Sequence, residues 1–216
     1  MNNTELTQAI QDYCENDETT FVSQIPTFVR QAEERLGRTV MIPELRQTVT
    51  GTMAAGNRYL SRPTDILSVF SVAVEDNGEF HYLLDKDANF IREAYASPTV
   101  TGRPKYYAMF NGDDPALSSE GYFIVGPTPD SDYRVELYYY YDPPSIVDNG
   151  TSWYGEHAET ALLYGCLVEA YTFMKGDADI MEVYATRYAD ALSKLGTVGF
   201  RSDRDDYRDG RVPQRA

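Results

Sequence analysis

The side chains of this 216-residue chain that could carry out catalysis are few and widely separated. By residue type the candidates are His81 and His157, and the thiols of Cys14 and Cys166. Neither histidine belongs to a Cys/His/Asp group with metal-ligand spacing, and neither thiol has an adjacent base that would activate it as a nucleophile. Both cysteines lie in apolar helical patterns, so we expect buried free thiols.

Acidic residues are the other possible source of catalysis. The pairs Asp85/Asp87 and Asp113/Asp114 could in principle serve a glycosidase. In a chain with 34 Asp and Glu against 19 Lys and Arg, however, acidic loops are typical of solvated surface. Glu169 is the lone acid among apolar helical turns, and we expect it to form an inter-helix ion pair. The sequence predicts no catalytic, cofactor-binding or metal-binding site, and hence no enzyme.

The charge is unevenly distributed along the chain. The formal net charge is −15, but residues 201–216, RSDRDDYRDGRVPQRA, contain five arginines and four aspartates and carry +1, which leaves −16 on the rest. Such an acidic body repels nucleic acid. The tail has too few apolar residues to pack on its own body, so we predict an extended arm that binds a partner. Its candidate contact residues are Arg201, Arg204, Tyr207, Arg208, Arg211 and Arg215.

The N-terminal segment, residues 1–41, has the apolar spacing of two helices. We expect Asn3 or Thr4 to cap the first helix. We expect Ser23 to cap the second and Gly37 to end it.

Residues 42–142 change to the alternating pattern of β-strands. Residues 66–74 and 79–85 flank Asp76-Asn77-Gly78 and predict a hairpin. Residues 87–95 predict a short helix, and further strands are predicted over 104–110, 120–126 and 132–142. We interpret this segment as an inserted antiparallel β-sandwich or barrel whose two ends lie close together. Tyr138 and Tyr140 should face outward from its last strand, as a protein interface or a sugar-stacking platform.

Residues 143–200 predict a second helix pair. The stretch 156–176 is apolar on nearly all sides, so it must be surrounded by protein. Asp177 should cap the following helix and Gly196 should end it. We therefore predict an α+β fold, in which two N-terminal and two C-terminal helices form a four-helix bundle. The candidates for packing within the bundle or between subunits are Leu162, Leu163, Gly165, Leu167, Glu169 and Phe173.

Three stretches resemble the head-to-tail adaptors of short-tailed bacteriophages, the tail tubular protein A family. The first is YTFMKGD, preceded by ALLYGCLVEA and followed by IMEVYATRYADAL. The second is SRPTDILSVFSVAV, and the third is GRPKYYAMF with FIVGPTPDSDYRVELYYYYDPPSI. The likeness extends from Leu6 to Leu195.

This resemblance implies a structural ring protein of the virion neck. Family members form dodecamers below the portal, leave a channel through which DNA passes, and provide a platform for the tail nozzle and often for fibres. Their C-terminal segments dock on the portal, which implies the same role for residues 201–216. The alternative is a carbohydrate-binding or tail-fibre-attachment β-sandwich module, suggested by the outward tyrosines. The N-terminus lacks the pattern of a signal peptide and no stretch is long enough to span a membrane, so we expect assembly in the host cytoplasm.

Overall fold

The computed structural model describes residues 1–39, 43–110 and 121–202, with side chains up to residue 196. The chain divides into two compact units, one formed by Met1–Leu45 with Asp142–Ala216 and the other by Arg46–Tyr141. The described part of the first unit is helical, and the second is built mainly from two β-sheets. The predicted α+β class is confirmed.

The elements follow one another in a simple order. Along the chain they are α1 (Asn3–Cys14), α2 (Thr19–Val22), α3 (Ile25–Thr39), a 3-10 helix (Pro43–Leu45), β1 (Arg46–Met53), β2 (Tyr59–Ser61), β3 (Ile66–Asp76), β4 (Glu79–Tyr82), β5 (Leu84–Asp85), α4 (Ala88–Ala94), β6 (Tyr106–Phe110), β7 (Tyr122–Gly126), β8 (Tyr133–Tyr141), α5 (Ile146–Asn149), α6 (Trp153–His157), α7 (Glu159–Met174) and α8 (Ala178–Ser202). No helix within these described residues has the length and apolar character needed to cross a membrane.

Helix α7 is the centre of the helical unit. It packs against α1, α3 and α8, and the side chains of Leu162, Cys166 and Ala170 are fully buried. An apolar helix needs apolar neighbours on several sides, and these three helices provide them. The first and last turns of α7 are open to solvent: Glu159 and Thr160 are exposed at its start, and Phe173 is 49% exposed near its end.

Several predicted helix ends are wrong. The N-cap of α1 is Asn2, which forms a capping box with Glu5. Gly37 is buried within α3, and α8 continues past Gly196 to Ser202. A glycine inside a helix costs about 1 kcal/mol, which neighbouring turns and packing offset, so it does not end a helix by itself. The cap predicted at Asp177 is confirmed, since its carboxylate accepts the Asp179 N–H at 3.2 Å.

The predicted continuous helix over 156–176 is also wrong, because the chain leaves helical geometry at Ala158 (φ −130°, ψ 31°). Ser152 starts α6 by accepting the Gly155 N–H, and α7 begins when Leu162 donates to the Ala158 carbonyl. The short helices α2, α5 and α6 were not predicted. Ser23 ends α2 rather than capping α3.

The β unit contains two four-stranded sheets with strand orders β1-β8-β3-β4 and β2-β7-β6-β5. Side chains from both sheets, including Val74, Phe123 and Leu137, form one hydrophobic core. Arg46 lies opposite Tyr140 in the β1–β8 ladder, so the two ends of the unit are adjacent, as predicted. The β3–β4 hairpin is confirmed, with Asn77 and Gly78 at positive φ in its turn.

The prediction of a wholly antiparallel β unit is wrong at one strand pair. β5 and β6 run parallel, because α4 lies in the connection between them and returns the chain to the same end of the sheet. Ile91 of α4 packs on Ala108 and Ile124. Sheet β2-β7-β6-β5 is therefore covered on its second face by α4, which explains why every residue of β7 is buried.

Candidate interaction surfaces

The thiols and imidazoles do not form a reactive centre. Burial raises the pKa of Cys14 to about 11, and it raises the pKa of Cys166 further, with Glu33 and Glu169 adding to the shift. Both thiols therefore stay protonated near neutral pH and are poor nucleophiles.

The two histidines have structural neighbours. His81 Nε2 lies 3.0 Å from Arg103 Nη1, and His157 stacks on Trp153 with ring centroids 5.1 Å apart. Among the described residues, no group of three or more His, Cys, Asp or Glu side chains is placed to hold a metal ion.

The six α7 residues singled out by sequence lie in different environments. Leu162, Gly165 and Leu167 are buried inside the helical unit, so their contacts are with the chain's own helices. A Cβ at Gly165 would lie 3.2 Å from both Ala32 Cβ and Tyr188 Cε2. Gly165 thus sits where α7 meets both α3 and α8.

The other three α7 residues have surface available for a second chain. Leu163 and Glu169 are half-buried and Phe173 is exposed. The Glu169 carboxylate pairs with Arg35 of α3, an inter-helix ion pair. The Phe173 ring lies 5.4 Å from Phe28, centroid to centroid, and extends the buried aromatic core to the surface.

Helix α8 carries exposed apolar residues that the sequence analysis missed. Ile180 and Val183 are 40% and 50% exposed. Tyr184 and Tyr188 of the same helix turn inward, and Tyr184 contacts Tyr13 and Tyr171. The sequence signal was available, since Ile180 and Val183 are spaced i, i+3 and flank the buried stripe on one side.

A groove of about 550 Å³ runs beside the start of α7 and the second half of α8. Its wall is apolar at Ala161 and Leu195, and its rim is charged. There Arg187 donates to the Tyr164 hydroxyl at 2.8 Å, and Lys194 pairs with Asp190 at 2.7 Å. A groove with an apolar wall and a charged rim is suited to binding the surface of another protein.

The second candidate surface lies on the outward face of sheet β1-β8-β3-β4. Tyr133, Val135, Leu137 and Tyr139 face the core, as predicted, which places Tyr138 and Tyr140 on the opposite face. Arg46 Nε and Nη2 donate to the Tyr140 hydroxyl at 2.9 and 2.8 Å. The Tyr138 hydroxyl donates to Glu136 at 3.2 Å.

Phe70 completes this surface and was not predicted. The β3–β8 register shifts between Val69 and Ser71, and this bulge leaves the Phe70 ring 54% exposed. The Arg46 guanidinium lies 4.2 Å from the centre of that ring and 5.2 Å from that of Tyr140. Arg46, Phe70 and Tyr140 form a preorganised aromatic patch, since a guanidinium held between two rings has little freedom left to lose on binding.

The predicted portal-binding residues begin at the end of α8. Arg201 belongs to α8, which ends at Ser202. The other five, Arg204, Tyr207, Arg208, Arg211 and Arg215, lie outside the described residues.

Comparison with known proteins assigns a family. The family model of the SU10 adaptor protein matches residues 1–215. None of the curated proteins compared with the chain matches it significantly. The family match covers the helical unit, the β unit and the arginine-rich tail.

Proposed function

Because this chain belongs to the SU10 adaptor protein family, and so is a bacteriophage adaptor, we propose that it is a ring-forming head-to-tail connector of the tail tubular protein A type. Membership implies a place in the virion neck, with portal and tail components as partners, and a structural role that is generally non-enzymatic. The match over residues 1–215 is the observation that carries the proposal, because it includes both units and the tail.

The ring is proposed to contain twelve copies related by cyclic symmetry. In such a ring each copy uses two different surfaces, one for each neighbour. The helical unit offers two candidates: the apolar residues Phe173, Ile180 and Val183, and the groove lined by Ala161 and Leu195. We take α1, α3, α7 and α8 as a four-helix bundle that packs side by side with the next bundle. The buried residues Leu162, Gly165 and Leu167 would keep each bundle rigid.

The C-terminal tail is proposed to be the portal-binding arm. It carries four arginines after Ser202, at Arg204, Arg208, Arg211 and Arg215. Arginine and tyrosine are the residues that most often dominate binding energy at interfaces. An arm that orders only on its partner would explain a segment with too few apolar residues to fold alone.

The acidic body suits a channel through which DNA slides. Residues 1–200 carry a formal net charge of −16. A channel wall built from this surface would repel phosphate and retain no DNA. DNA would pass without specific binding.

The aromatic patch of Arg46, Phe70 and Tyr140 is proposed as the attachment surface for the tail nozzle, and in some assemblies for fibres. A carbohydrate-binding module is a weaker account of the same residues. The hydroxyls of Tyr138 and Tyr140 are already engaged by Glu136 and Arg46, and a sugar-binding module does not need the helical unit.

The test is co-sedimentation with the purified portal of the same phage. Truncation after Ser202 should leave the far-ultraviolet circular dichroism essentially unchanged and reduce portal attachment at least tenfold. The matched control is the full-length chain with Arg204, Arg208, Arg211 and Arg215 replaced by lysine, which keeps the charge. It should retain more attachment than the truncation, though less than wild type, because lysine lacks the bidentate geometry of arginine. Undiminished attachment of the truncated chain would contradict the role of the arm.

A further inference from the structure

Strand β1 is an edge strand without the usual protection. It is eight residues long and pairs only with β8 among the described strands. Residues 47–52 are exposed whichever face of the sheet they lie on, and Val49 is 39% exposed. Gln47–Met53 contains no charge and no proline, whereas natural edge strands are commonly short, charged or interrupted.

The other described edge strands differ from β1. In the second sheet the edges are β2 with three residues and β5 with two. In the first sheet the far edge is β4, with four residues. Strand β1 is therefore the edge best suited to accept a strand from another chain.

Strand β4 has the direction that this addition requires. Each neighbouring pair in the order β1-β8-β3-β4 is antiparallel, so β4 runs opposite to β1. In a ring whose axis runs parallel to these strands, every copy has its strands in the same directions. Its β1 then meets β4 of the preceding copy as an antiparallel pair, and the alternation of the sheet continues.

We propose that neighbouring copies join head to tail through their sheets, with β4 of one copy paired to β1 of the next. This inference rests on the ring of the proposed function and adds a contact surface to it. It assigns the occupant of the unprotected β1 edge: a second copy of this chain. Each copy uses both edge strands of this sheet, β4 for one neighbour and β1 for the other, so the contact repeats around the ring without a two-fold axis.

The register follows from rows of residues that already cross the sheet. Tyr82 lies opposite Ala73, Ala73 opposite Glu136, and Glu136 opposite Thr50. A ring has no rise from copy to copy, so the row continues from Tyr82 into Thr50 of the next copy. The adjacent rows bring His81 to Gly51 and Phe80 to Thr52.

The side chains are complementary in this register. Tyr82 and Phe80 are 68% and 43% exposed and would pack on Thr50 and Thr52, and aromatic side chains opposite β-branched ones stabilise a sheet. Gly51 has no side chain, and a Cβ there would meet nothing within 4 Å, which leaves room for His81. Because Gln47–Met53 is uncharged, two acidic copies can approach along it with less repulsion than elsewhere.

Disulfide trapping tests the pairing. In a background with Cys14 replaced by serine, the double variant Tyr82→Cys/Thr50→Cys is oxidised with copper phenanthroline on the portal. Directly opposed strand positions bring two Cβ atoms to about 4.5–5.5 Å, which a small local adjustment reduces to the span of a disulfide. A second pair, Tyr82→Cys/Thr48→Cys, tests a two-residue stagger, which keeps the same face of the sheet. We expect the Tyr82→Cys/Thr50→Cys variant to give a ladder of species larger than dimers on non-reducing gels, and each single variant to stay monomeric. A ladder from the Thr48 pair alone would keep the shared sheet and overturn the assigned register.

Two results would overturn the pairing. In one, portal-bound rings form, as measured by light scattering, but neither double variant cross-links; the ring function then stands and the shared sheet does not. In the other, Thr50→Cys alone gives dimers, which indicates a two-fold β1–β1 contact. If no ring forms on the portal and no ladder appears, both the ring function and the shared sheet fail.

Discussion

Gly165 of α7 and Ala32 of α3 are so close that a Cβ added to Gly165 would lie 3.2 Å from the Cβ of Ala32. The aromatic ring of Tyr188 approaches the same point from α8, also at 3.2 Å. One position thus fixes the spacing of three helices. The absence of a side chain at Gly165 is a requirement of the packing.

Gly165→Leu should destabilise the helical unit by about 1–3 kcal/mol or more, since overpacking forces neighbouring backbones apart. For a unit of this size that corresponds to a fall in Tm of roughly 4 °C per kcal/mol, measured by circular dichroism. Gly196→Leu is the matched control, because a Cβ at Gly196 meets nothing within 4 Å. It should leave the Tm unchanged or raise it slightly. Equal melting of Gly165→Leu and wild type would refute the close helix packing.

The buried carboxylate of Glu33 should hold α5 against α3. Glu33 is 8% exposed, and it accepts hydrogen bonds from Ser145 Oγ at 2.6 Å and the Ile146 N–H at 2.9 Å. Glu33→Ala leaves both donors without this acceptor, so the free energy of unfolding should fall by roughly 1–3 kcal/mol in urea titrations.

Arg30→Ala provides the control on the same two helices. The Arg30–Asp148 ion pair, at 2.8 Å, is more than half exposed on both sides, and exposed pairs contribute about 0–1 kcal/mol. If Arg30→Ala lowers the free energy of unfolding as much as Glu33→Ala does, the buried Glu33 carboxylate does not have the special role assigned to it.

Alkaline pH should destabilise the β unit through buried tyrosines. Burial, followed by the charge of Asp85, raises the pKa of Tyr107 to about 12, whereas an unfolded chain ionises its tyrosines near pH 10. The folded state retains the proton that the unfolded state releases. This contribution to stability is therefore complete below pH 10 and is lost as the pH rises from about 10 to about 12.

Tyr107→Phe removes one such group. The free energy of unfolding should then fall less steeply with pH, by up to ~1.4 kcal/mol per pH unit in this range. Urea unfolding at several pH values between 9 and 12 measures the slope. Tyr82→Phe, at a tyrosine that is 68% exposed, is the matched control for removing a phenolic hydroxyl. An unchanged slope in Tyr107→Phe would show that this residue titrates alike in both states.

The aromatic patch should matter for tail binding and little for folding. Phe70 is 54% exposed, so Phe70→Ala should change the Tm by only a degree or two. It should weaken binding of the tail nozzle protein at least about thirtyfold, the effect of losing an interface hot spot. Phe90→Ala removes another exposed phenylalanine, from α4, and should bind normally. Equal nozzle affinity of the two variants, by titration calorimetry, would exclude the patch from this interface.

Local patterns predicted much of the fold because their causes are local. The Asp76-Asn77-Gly78 turn and the short helix predicted over 87–95, which is α4 in the structure, depend on a few neighbouring residues. The ends predicted at Gly37 and Gly196 and the continuous helix predicted through Ala158 were wrong, because neither a single glycine nor an apolar stretch decides by itself where a helix ends.

The candidate surfaces were predicted only in part, for the same reason. The alternation in β8 is enough to turn Tyr138 and Tyr140 outward. The position of Arg46 beside Phe70 depends on the β1–β8 register and on a bulge in β3. Neither feature has a signature in any single strand.

The direct test of the connector assignment is the stoichiometry of the chain on its portal. Electron cryomicroscopy of the purified portal mixed with full-length protein counts the copies. The proposal predicts a closed ring of twelve subunits with an open channel and with density for the C-terminal arm on the portal. Subunits that remain monomeric in the presence of the portal, or a ring attached without the arm, would contradict it.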